Sequence, residues 1–224
     1  MKIRVKICGN TNLDDARAAT EAGADMLGFI FYSPSPRDIS PEATAEMVAA
    51  LREEYGEAAP TMVGVFVDDS VERVREIMEQ ADLDLAQLHG SEPPVEVRML
   101  QPRAFKAIRP QTRGDAEAIV ATYDRVLNGD PEVPDFLLDA YHPWKMGGTG
   151  QSADRAVGML LAQRFKLLLA GGLAPETVAE AVRVIKPWGV DVVSGIEKSK
   201  GVKDHERMRA FIQEARGAAE TIES

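Results

Sequence analysis

The chain has 224 residues, of which 45% are hydrophobic and 28% are charged, and its formal net charge is −10. This length is sufficient for a large core and falls in the range of a single barrel of alternating strands and helices. The negative charge and the lack of a basic stripe argue against nucleic-acid binding, and no apolar run is long enough to cross a bilayer. We therefore expect one soluble domain over residues 1–224, with an acidic surface of the kind that suits a high-salt habitat.

Short β-rich runs alternate with amphipathic helical segments along the chain. The predicted strands are Ile3–Ile7, Met26–Phe31, Met62–Val67, Leu85–Leu88, Ala104–Ile108, Phe136–Leu138, Lys166–Leu169 and Val190–Val193. The predicted helical segments include Asp14–Ala22, Pro41–Glu54, Val71–Gln80, Asp115–Tyr123, Ala174–Ile185 and Asp204–Arg216. Eight such units favour an α/β fold, a single (β/α)8 TIM barrel. An open doubly wound sheet is the alternative, but no Gly-x-Gly-x-x-Gly turn follows the first strand.

Capping residues support these boundaries. Asn12, Ser40 and Ser70 each stand just before a predicted helix, and such side chains satisfy the free N–H groups of a first turn. In a barrel, helix N-termini and the loops after the strands lie on one face, where barrel enzymes carry their active sites. Residues at the carboxyl ends of the strands are therefore the functional candidates.

Cys8 follows the first predicted strand on this expected active face and is the only cysteine. A single cysteine excludes an internal disulfide, and no apolar signal core precedes the first strand, so we expect a cytoplasmic protein. Most free cysteines are small buried hydrophobes, and that interpretation stays open. A thiolate near a helix N-terminus or an arginine can instead have a lowered pKa and act as general base or nucleophile.

Asp139 directly follows the apolar run Phe136–Leu138 and lies at the same predicted face. Aspartate is common where strands give way to turns, so a loop cap is one interpretation. In a partly desolvated site the pKa of Asp139 would instead rise, which would let it act as a general acid near neutral pH.

Three glycine-containing turns follow the last strands. Gly147–Gly150 comes after the sixth strand and is a phosphate-binding turn, a lid or a plain linker. Ala170–Leu173 and Ser194–Glu197 follow the seventh and eighth strands, whose loops form the recurrent phosphate site of barrel enzymes. We therefore predict a small phosphorylated substrate. The residues predicted to bind it in these turns are Gly148, Thr149, Gly171, Gly172, Ser194 and Gly195.

Polar side chains near the second and fourth strands are further candidates. Arg37 is expected to pair with a substrate carboxylate, the alternative being a surface arginine. Gln87 and His89 close the fourth strand and can orient a polar group of the substrate, although His89 is as readily explained as structural. The histidines lack metal-ligand spacing and no carboxylate cluster accompanies them, so we expect no metal.

These motifs occur together in a recognisable order. The segments concerned are Lys6–Gly9, Ser35–Arg37, Gln87–Gly90, Leu138–Asp139, Gly147–Gly150, Ala170–Leu173, Val193–Glu197 and Gly201–Asp204. In combination they resemble the phosphoribosylanthranilate isomerases of tryptophan biosynthesis, almost from end to end. One departure follows Gly150, where the family usually has an aromatic residue and an aspartate-tryptophan pair but this chain has Gln151–Asp154. Aromatic residues earlier in the loop, in Tyr141–Lys145, are the alternative contacts for the substrate ring.

The resemblance implies an Amadori rearrangement of N-(5-phosphoribosyl)anthranilate to 1-(2-carboxyphenylamino)-1-deoxyribulose 5-phosphate, without cofactor or metal. It implies that Asp139 protonates the furanose ring oxygen and that the Cys8 thiolate removes the C2′ proton. It also implies that Arg37 holds the anthranilate carboxylate, and that the turns at Gly171–Gly172 and Ser194–Gly195 bind the phosphate through N–H donors. Monomer and homodimer are both expected possibilities.

Two other functions share part of this pattern. Another sugar-phosphate barrel, such as an epimerase or a histidine-pathway isomerase, would keep the phosphate turns. A histidine-pathway barrel is expected to carry aspartates after strands one and five, where this chain has Cys8 and Ile108–Pro110. A non-catalytic phosphometabolite-binding protein would keep the turns but would not need both Cys8 and Asp139.

Overall fold

Eight parallel strands form a closed barrel in the order β1 to β8, with β8 paired back to β1. The computed structural model describes residues 3–123, 129–139 and 151–223. The strands are β1 Arg4–Ile7, β2 Met26–Phe31, β3 Thr61–Phe66, β4 Leu85–Leu88, β5 Ala104–Ile108, β6 Phe136–Asp139, β7 Leu167–Ala170 and β8 Gly189–Val192. The predicted TIM barrel is confirmed, and each predicted strand agrees with the structure to within one residue at each end.

Helices follow the strands in turn. They are α1 Leu13–Glu21, α2 Pro41–Tyr55, α3 Val71–Gln80, α4 Pro94–Leu100, α5 Arg113–Tyr123, α6 Gln151–Ala162, α7 Pro175–Ile185 and α8 His205–Glu223. Two of them, α4 and α6, were not predicted, and α8 continues beyond the expected end at Arg216. Within the described ranges, no helix has the length and apolar composition needed to cross a membrane.

The predicted caps fix where the first three helices begin. The side chains of Asn12, Ser40 and Ser70 each accept a hydrogen bond from the backbone N–H three residues later, at 2.9, 3.2 and 3.2 Å. Each cap satisfies one of the N–H groups that the first turn leaves without an intrahelical partner. The loops after β1, β2 and β3 therefore end at defined residues on the same face of the barrel.

The barrel interior changes from apolar to polar toward the carboxyl ends of the strands. Successive side chains of a strand alternate between the two faces of the sheet, so residues two apart share a face. On β4, β6 and β8 the successive inward positions are Leu85 and Gln87, Leu137 and Asp139, and Gly189 and Asp191. The inner apolar cluster, which contains Leu85 and Leu137, fills the barrel interior below these polar residues, toward the amino ends of the strands. The polar side chains therefore lie together at the carboxyl ends of the strands.

A short antiparallel hairpin lies in the loop after β8. Its strands are β9 Glu197–Ser199 and β10 Val202–Lys203. The buried carboxylate of Asp15, on α1, accepts a hydrogen bond from the backbone N–H of Lys203 at 2.9 Å and lies 2.7 Å from Nε2 of His205. The first and last βα units are joined at this point, and His205 belongs to that junction.

Candidate active site

A cavity of about 450 Å³ opens where the barrel strands end. Most of the predicted site residues line it together, namely Cys8, Arg37, Gln87, His89, Asp139, Gly171, Gly172 and Ser194. Gly195 does not line the cavity itself, but it packs against Leu173, which does. Gly148 and Thr149, with the rest of Gly147–Gly150 and the aromatics of Tyr141–Lys145, lie outside the described residues.

Cys8 is almost fully buried beside a charged pair. The ammonium of Lys6, a residue with no solvent exposure, lies 2.9 Å from Oδ1 of Asp191. A Cβ atom on Gly28 would lie 2.6 Å from Sγ of Cys8 and 3.0 Å from Nζ of Lys6. Glycine at position 28 therefore leaves the space that these two side chains occupy.

The Cys8 thiol is harder to ionise than the sequence suggested. Burial raises the pKa of Cys8, and the neighbouring Lys6 ammonium opposes this effect without overcoming it. The expectation of a lowered pKa was wrong, because the loss of hydration outweighs the nearby positive charge. Lys6 was not predicted as a site residue, since it looked like the polar member of an alternating strand.

Replacing Lys6 by methionine is expected to destabilise the fold. Asp191 would remain buried without its cation, and breaking such a pair costs about 3–5 kcal/mol of unfolding free energy. Urea unfolding of Lys6→Met against the parent measures this loss. The double variant Lys6→Met with Asp191→Leu removes both charges and should recover most of it. Equal stability of Lys6→Met and the parent would contradict the pairing.

Asp139 ends β6 with its side chain 30% exposed and two donors beside it. Nε of Arg109 donates to Oδ2 at 2.9 Å, and Nε2 of His89 lies 3.5 Å from the same oxygen. Gln87 Nε2 in turn lies 2.6 Å from His89 Nδ1. Arg109 was missed in the sequence, where its one signal was its position directly after the fifth strand.

These contacts reverse the predicted direction of the Asp139 titration. Burial would raise the pKa of Asp139, but the hydrogen bonds and charges of His89 and Arg109 outweigh it and hold the pKa below its usual value. The expectation of a raised pKa was therefore wrong. The Asp139 carboxyl group is therefore ionised at neutral pH. It can act as a general acid only when these contacts change enough for it to become protonated.

Arg37 faces the cavity from the loop after β2. Its Nε and Nη2 donate to the two carboxylate oxygens of Glu197 at 2.7 and 2.6 Å. A Cβ atom on Gly9, where φ is +71°, would lie 2.8 Å from Cδ of Arg37. Glycine after Cys8 therefore allows both the left-handed turn and the close approach of the arginine stem.

The turns after β7 and β8 pack backbone to backbone. Gly171 and Gly172 have φ values of +94° and +69°, which favour glycine. A Cβ atom on Gly195 would overlap the carbonyl oxygen of Leu173. Both turns run into helical segments, α7 and the 3₁₀ turn Ser194–Ile196, whose first N–H groups can bind an anion.

The described residues contain no group of three or more histidine, cysteine or acidic side chains arranged to hold a metal ion. The ionisable side chains that line the cavity are the Cys8 thiol, the carboxyl groups of Asp139 and Asp191, the guanidinium groups of Arg37 and Arg109, the His89 imidazole and the Tyr32 phenol. This set can transfer protons and bind anionic groups.

Comparison with known proteins assigns the family. The family model of N-(5′-phosphoribosyl)anthranilate (PRA) isomerase matches residues 5–214. The chain belongs to the phosphoribosylanthranilate isomerase family. A phosphoribosylanthranilate isomerase of Roseiflexus sp. (strain RS-1) is 44% identical over 221 residues, covering 97% of this chain and 100% of the relative. The chain is accordingly an isomerase of tryptophan biosynthesis.

Solved structures of phosphoribosylanthranilate isomerases share the fold. The Thermotoga maritima enzyme is 37% identical, with a TM-score of 0.82 over 96% of this chain and 99% of that one. A second structure, of the enzyme in complex with reduced 1-(o-carboxyphenylamino)-1-deoxyribulose 5-phosphate, is 35% identical, with a TM-score of 0.80 and the same coverage of both chains. The resemblance inferred from the motifs is therefore confirmed at the level of the family.

Proposed function

We propose that this cavity converts N-(5-phosphoribosyl)anthranilate to 1-(2-carboxyphenylamino)-1-deoxyribulose 5-phosphate, with Asp139 as general acid and Cys8 as general base. The observation that carries the proposal is that the Cys8 thiol and the Asp139 carboxyl group line one cavity together with the turns after β7 and β8. The related enzyme bound to the reduced carboxyphenylamino sugar phosphate supports a ligand of this class.

The proposed steps are proton transfers and the opening of the furanose ring, with no oxidation or reduction. Asp139 protonates the furanose ring oxygen, the C1′–O bond breaks, and the nitrogen lone pair forms a Schiff base with C1′. The Cys8 thiolate then removes the C2′ proton, and the C2′–H electrons form the C1′=C2′ bond of an enolamine. Loss of the C2′ hydroxyl proton and protonation of C1′ complete the ketose, so no atom or electron is gained. We propose that neither a metal nor a cofactor takes part.

The proposed reaction needs a protonated Asp139 and an ionised Cys8. Burial raises the pKa of Cys8, and the contacts of His89 and Arg109 outweigh burial and hold the pKa of Asp139 below its usual value. We propose that substrate binding favours the protonated form of Asp139 by separating its carboxyl group from Arg109, whose side chain is 51% exposed.

The remaining predicted residues are assigned to binding. We propose that Arg37 holds the anthranilate carboxylate and that Gln87 and His89 orient the sugar near Asp139. Gln87 is 1% exposed and lines the cavity, and its Oε1 lacks a hydrogen-bond partner among the described residues. A substrate hydroxyl donating to this oxygen would satisfy it, which a buried acceptor requires. The turns that contain Gly171, Gly172, Ser194 and Gly195 are assigned to the phosphate, and Gly148 and Thr149, which lie outside the described residues, stay predicted substrate-binding residues.

A fluorescence assay that follows consumption of freshly generated phosphoribosylanthranilate tests the activity. Parallel assays in low and high salt test the habitat suggested by the net charge of −10. We expect turnover by the parent without added metal or cofactor. No turnover by a folded parent in either salt would refute the proposed reaction. Because the proposed base is a thiol, we assign the activity to the reducing cytoplasm.

Gly195→Ala tests the assignment of the phosphate turns. The added methyl group would overlap the carbonyl oxygen of Leu173 and separate the two turns. The N–H donors of the two turns would no longer converge on one anion, so we expect a loss of at least about tenfold in affinity for ribose 5-phosphate. Isothermal titration measures it.

Gly217→Ala is the matched control for this variant. Gly217 lies in α8, and a Cβ atom there meets no other atom within 4 Å. Alanine should leave the affinity unchanged and stabilise the helix by less than about 1 kcal/mol. Unchanged ribose 5-phosphate affinity in Gly195→Ala would argue against a phosphate site at these turns.

A further inference from the structure

The carboxylate of Glu197 holds one edge of the Arg37 guanidinium. The two hydrogen bonds, from Nε at 2.7 Å and from Nη2 at 2.6 Å, form a two-point contact. The Arg37 side chain is 16% exposed and that of Glu197 only 5% exposed. Such a pair fixes the plane of the guanidinium as well as its position. Glu197 therefore determines how Arg37 enters the cavity that it lines.

Glu197 is itself held by the hairpin that contains it. Its Oε1 accepts a hydrogen bond from the Gly201 N–H at 3.2 Å and lies 3.5 Å from Nζ of Lys203. Burial would raise the pKa of Glu197, but Arg37 and Lys203 outweigh it and hold the pKa below its usual value. The buried Lys203 Nζ also donates to the carbonyl oxygen of Cys8 at 2.6 Å. The β9–β10 hairpin thus contacts both the arginine and the loop of the proposed base.

The contact leaves only one edge of the guanidinium able to bind a second carboxylate at two points. A guanidinium offers a side edge, formed by Nε and Nη2, and an end edge, formed by Nη1 and Nη2. Glu197 occupies the side edge of Arg37. Nη1 of Arg37 donates no hydrogen bond to any of the described residues, since both contacts with Glu197 come from Nε and Nη2. The end edge is therefore available to a ligand.

We propose that Glu197 is a positioning residue that presents the end edge of Arg37 to the carboxylate of the substrate. This inference rests on the proposed function, because it takes Arg37 to be the carboxylate-binding residue. Lys203 lies beside the same carboxylate, and burial lowers the pKa of Lys203 although the charge of Glu197 opposes this effect. Specificity for the ring carboxylate next to the anthranilate nitrogen then depends on Glu197, although Glu197 does not itself contact the substrate.

Two effects of Glu197 oppose each other. Its negative charge weakens the attraction of Arg37 for another carboxylate, whereas its two hydrogen bonds remove the rotational freedom of a long side chain. The proposal requires orientation to outweigh the charge effect. Glu197→Gln retains the size of the side chain but removes its charge and one acceptor oxygen, so it reports which effect is larger.

The experiment compares two inhibitors that differ only in the ring carboxylate. They are the reduced product analogue with a 2-carboxyphenyl group and the same compound with a phenyl group. In Glu197→Gln, we expect the affinity for the carboxyphenyl compound to fall about tenfold or more, while that for the phenyl compound changes less than about twofold. KM should rise with little change in kcat, since the contact is made equally before and during the reaction.

Glu54→Gln is the matched control. Glu54 accepts a hydrogen bond from Nε of Arg17 at 2.8 Å on the outer helices, so the same charge is lost outside the cavity. Both inhibitors should bind this variant as they bind the parent. Arg37→Lys should abolish the preference for the carboxyphenyl compound, and adding Glu197→Gln to it should have little further effect on that preference.

The outcomes separate the positioning role from other roles. Equal weakening of both inhibitors in Glu197→Gln would indicate a structural role and overturn the proposal, and tighter binding of the carboxyphenyl compound would overturn it in favour of the charge effect. If the parent fails to turn over phosphoribosylanthranilate, the proposed function fails. The binding comparison still decides the role of Glu197, because it does not require turnover.

Discussion

Asp139→Asn is expected to lower kcat by about 10²–10⁴, the usual contribution of a general acid. Asparagine keeps the size of the side chain and can still contact Arg109, but it carries no proton that it can give to the ring oxygen. The ion pair with Arg109 lies at the cavity mouth, with side chains 51% and 30% exposed. Its loss should therefore cost less than about 1 kcal/mol of stability. Steady-state kinetics and thermal unfolding of the variant measure the two effects separately.

Asp82→Asn provides a control with the same chemistry elsewhere. Oδ2 of Asp82 lies 2.8 Å from Nε of Arg52, and the Asp82 side chain is 74% exposed. This variant loses one arginine–aspartate pair without touching the cavity, so its kcat should equal that of the parent. A folded Asp139→Asn variant with parental kcat would exclude Asp139 as the general acid.

Cys8→Ser is expected to lower kcat by about 10²–10⁴ as well. A serine hydroxyl group fits the same space beside Gly28, but it is far less acidic than a thiol, so almost no base is present at neutral pH. Cys8→Ala should lose as much activity, which separates loss of the base from a local steric change. If Cys8→Ala keeps parental activity, another group must remove the C2′ proton.

Alkylation provides a direct test of the Cys8 titration, because the chain has no other cysteine. The thiolate is the reactive form, and burial raises the pKa of Cys8 above its ordinary value of 9.0. The alkylation rate of the unliganded protein should therefore keep rising with pH through 9. A plateau reached below about pH 8 would show a lowered pKa. A product-like ligand in the cavity should protect the thiol.

The arrangement of the strands could be predicted because each βα unit carries its own local signals. The strand runs are short and apolar, and caps such as Ser40 and Ser70 mark the helix starts. Barrel closure then brings the strand ends together, so Cys8 and Asp139 share a cavity although 131 positions separate them in the sequence. Helices α4 and α6 were missed because α4 is short and begins at the second of two consecutive prolines, while α6 directly follows a glycine-rich stretch of the sequence.

The electrostatics of the site could not be predicted, because they depend on contacts between strands. Arg109 reaches Asp139 only because β5 and β6 are neighbours in the barrel, and Lys6 reaches Asp191 only because β8 pairs back to β1. Glu197 reaches Arg37 through a hairpin that strand and helix periodicity does not predict. The sequence therefore indicated which groups are present at the site but not which neighbours set their pKa values.

The junction at Asp15 links active-site integrity to local unfolding. Lys203 contacts Asp15 through its backbone N–H and the Cys8 loop through its side chain, while Asp15 also contacts His205 at the start of α8. Detachment of α8 would therefore release the hairpin and the loop of Cys8 in one event, as in a cooperative unfolding unit. Amide hydrogens of these three segments should exchange with a common opening free energy. Substitutions on the outer face of α8, outside the cavity, would then change how often the walls of the cavity separate.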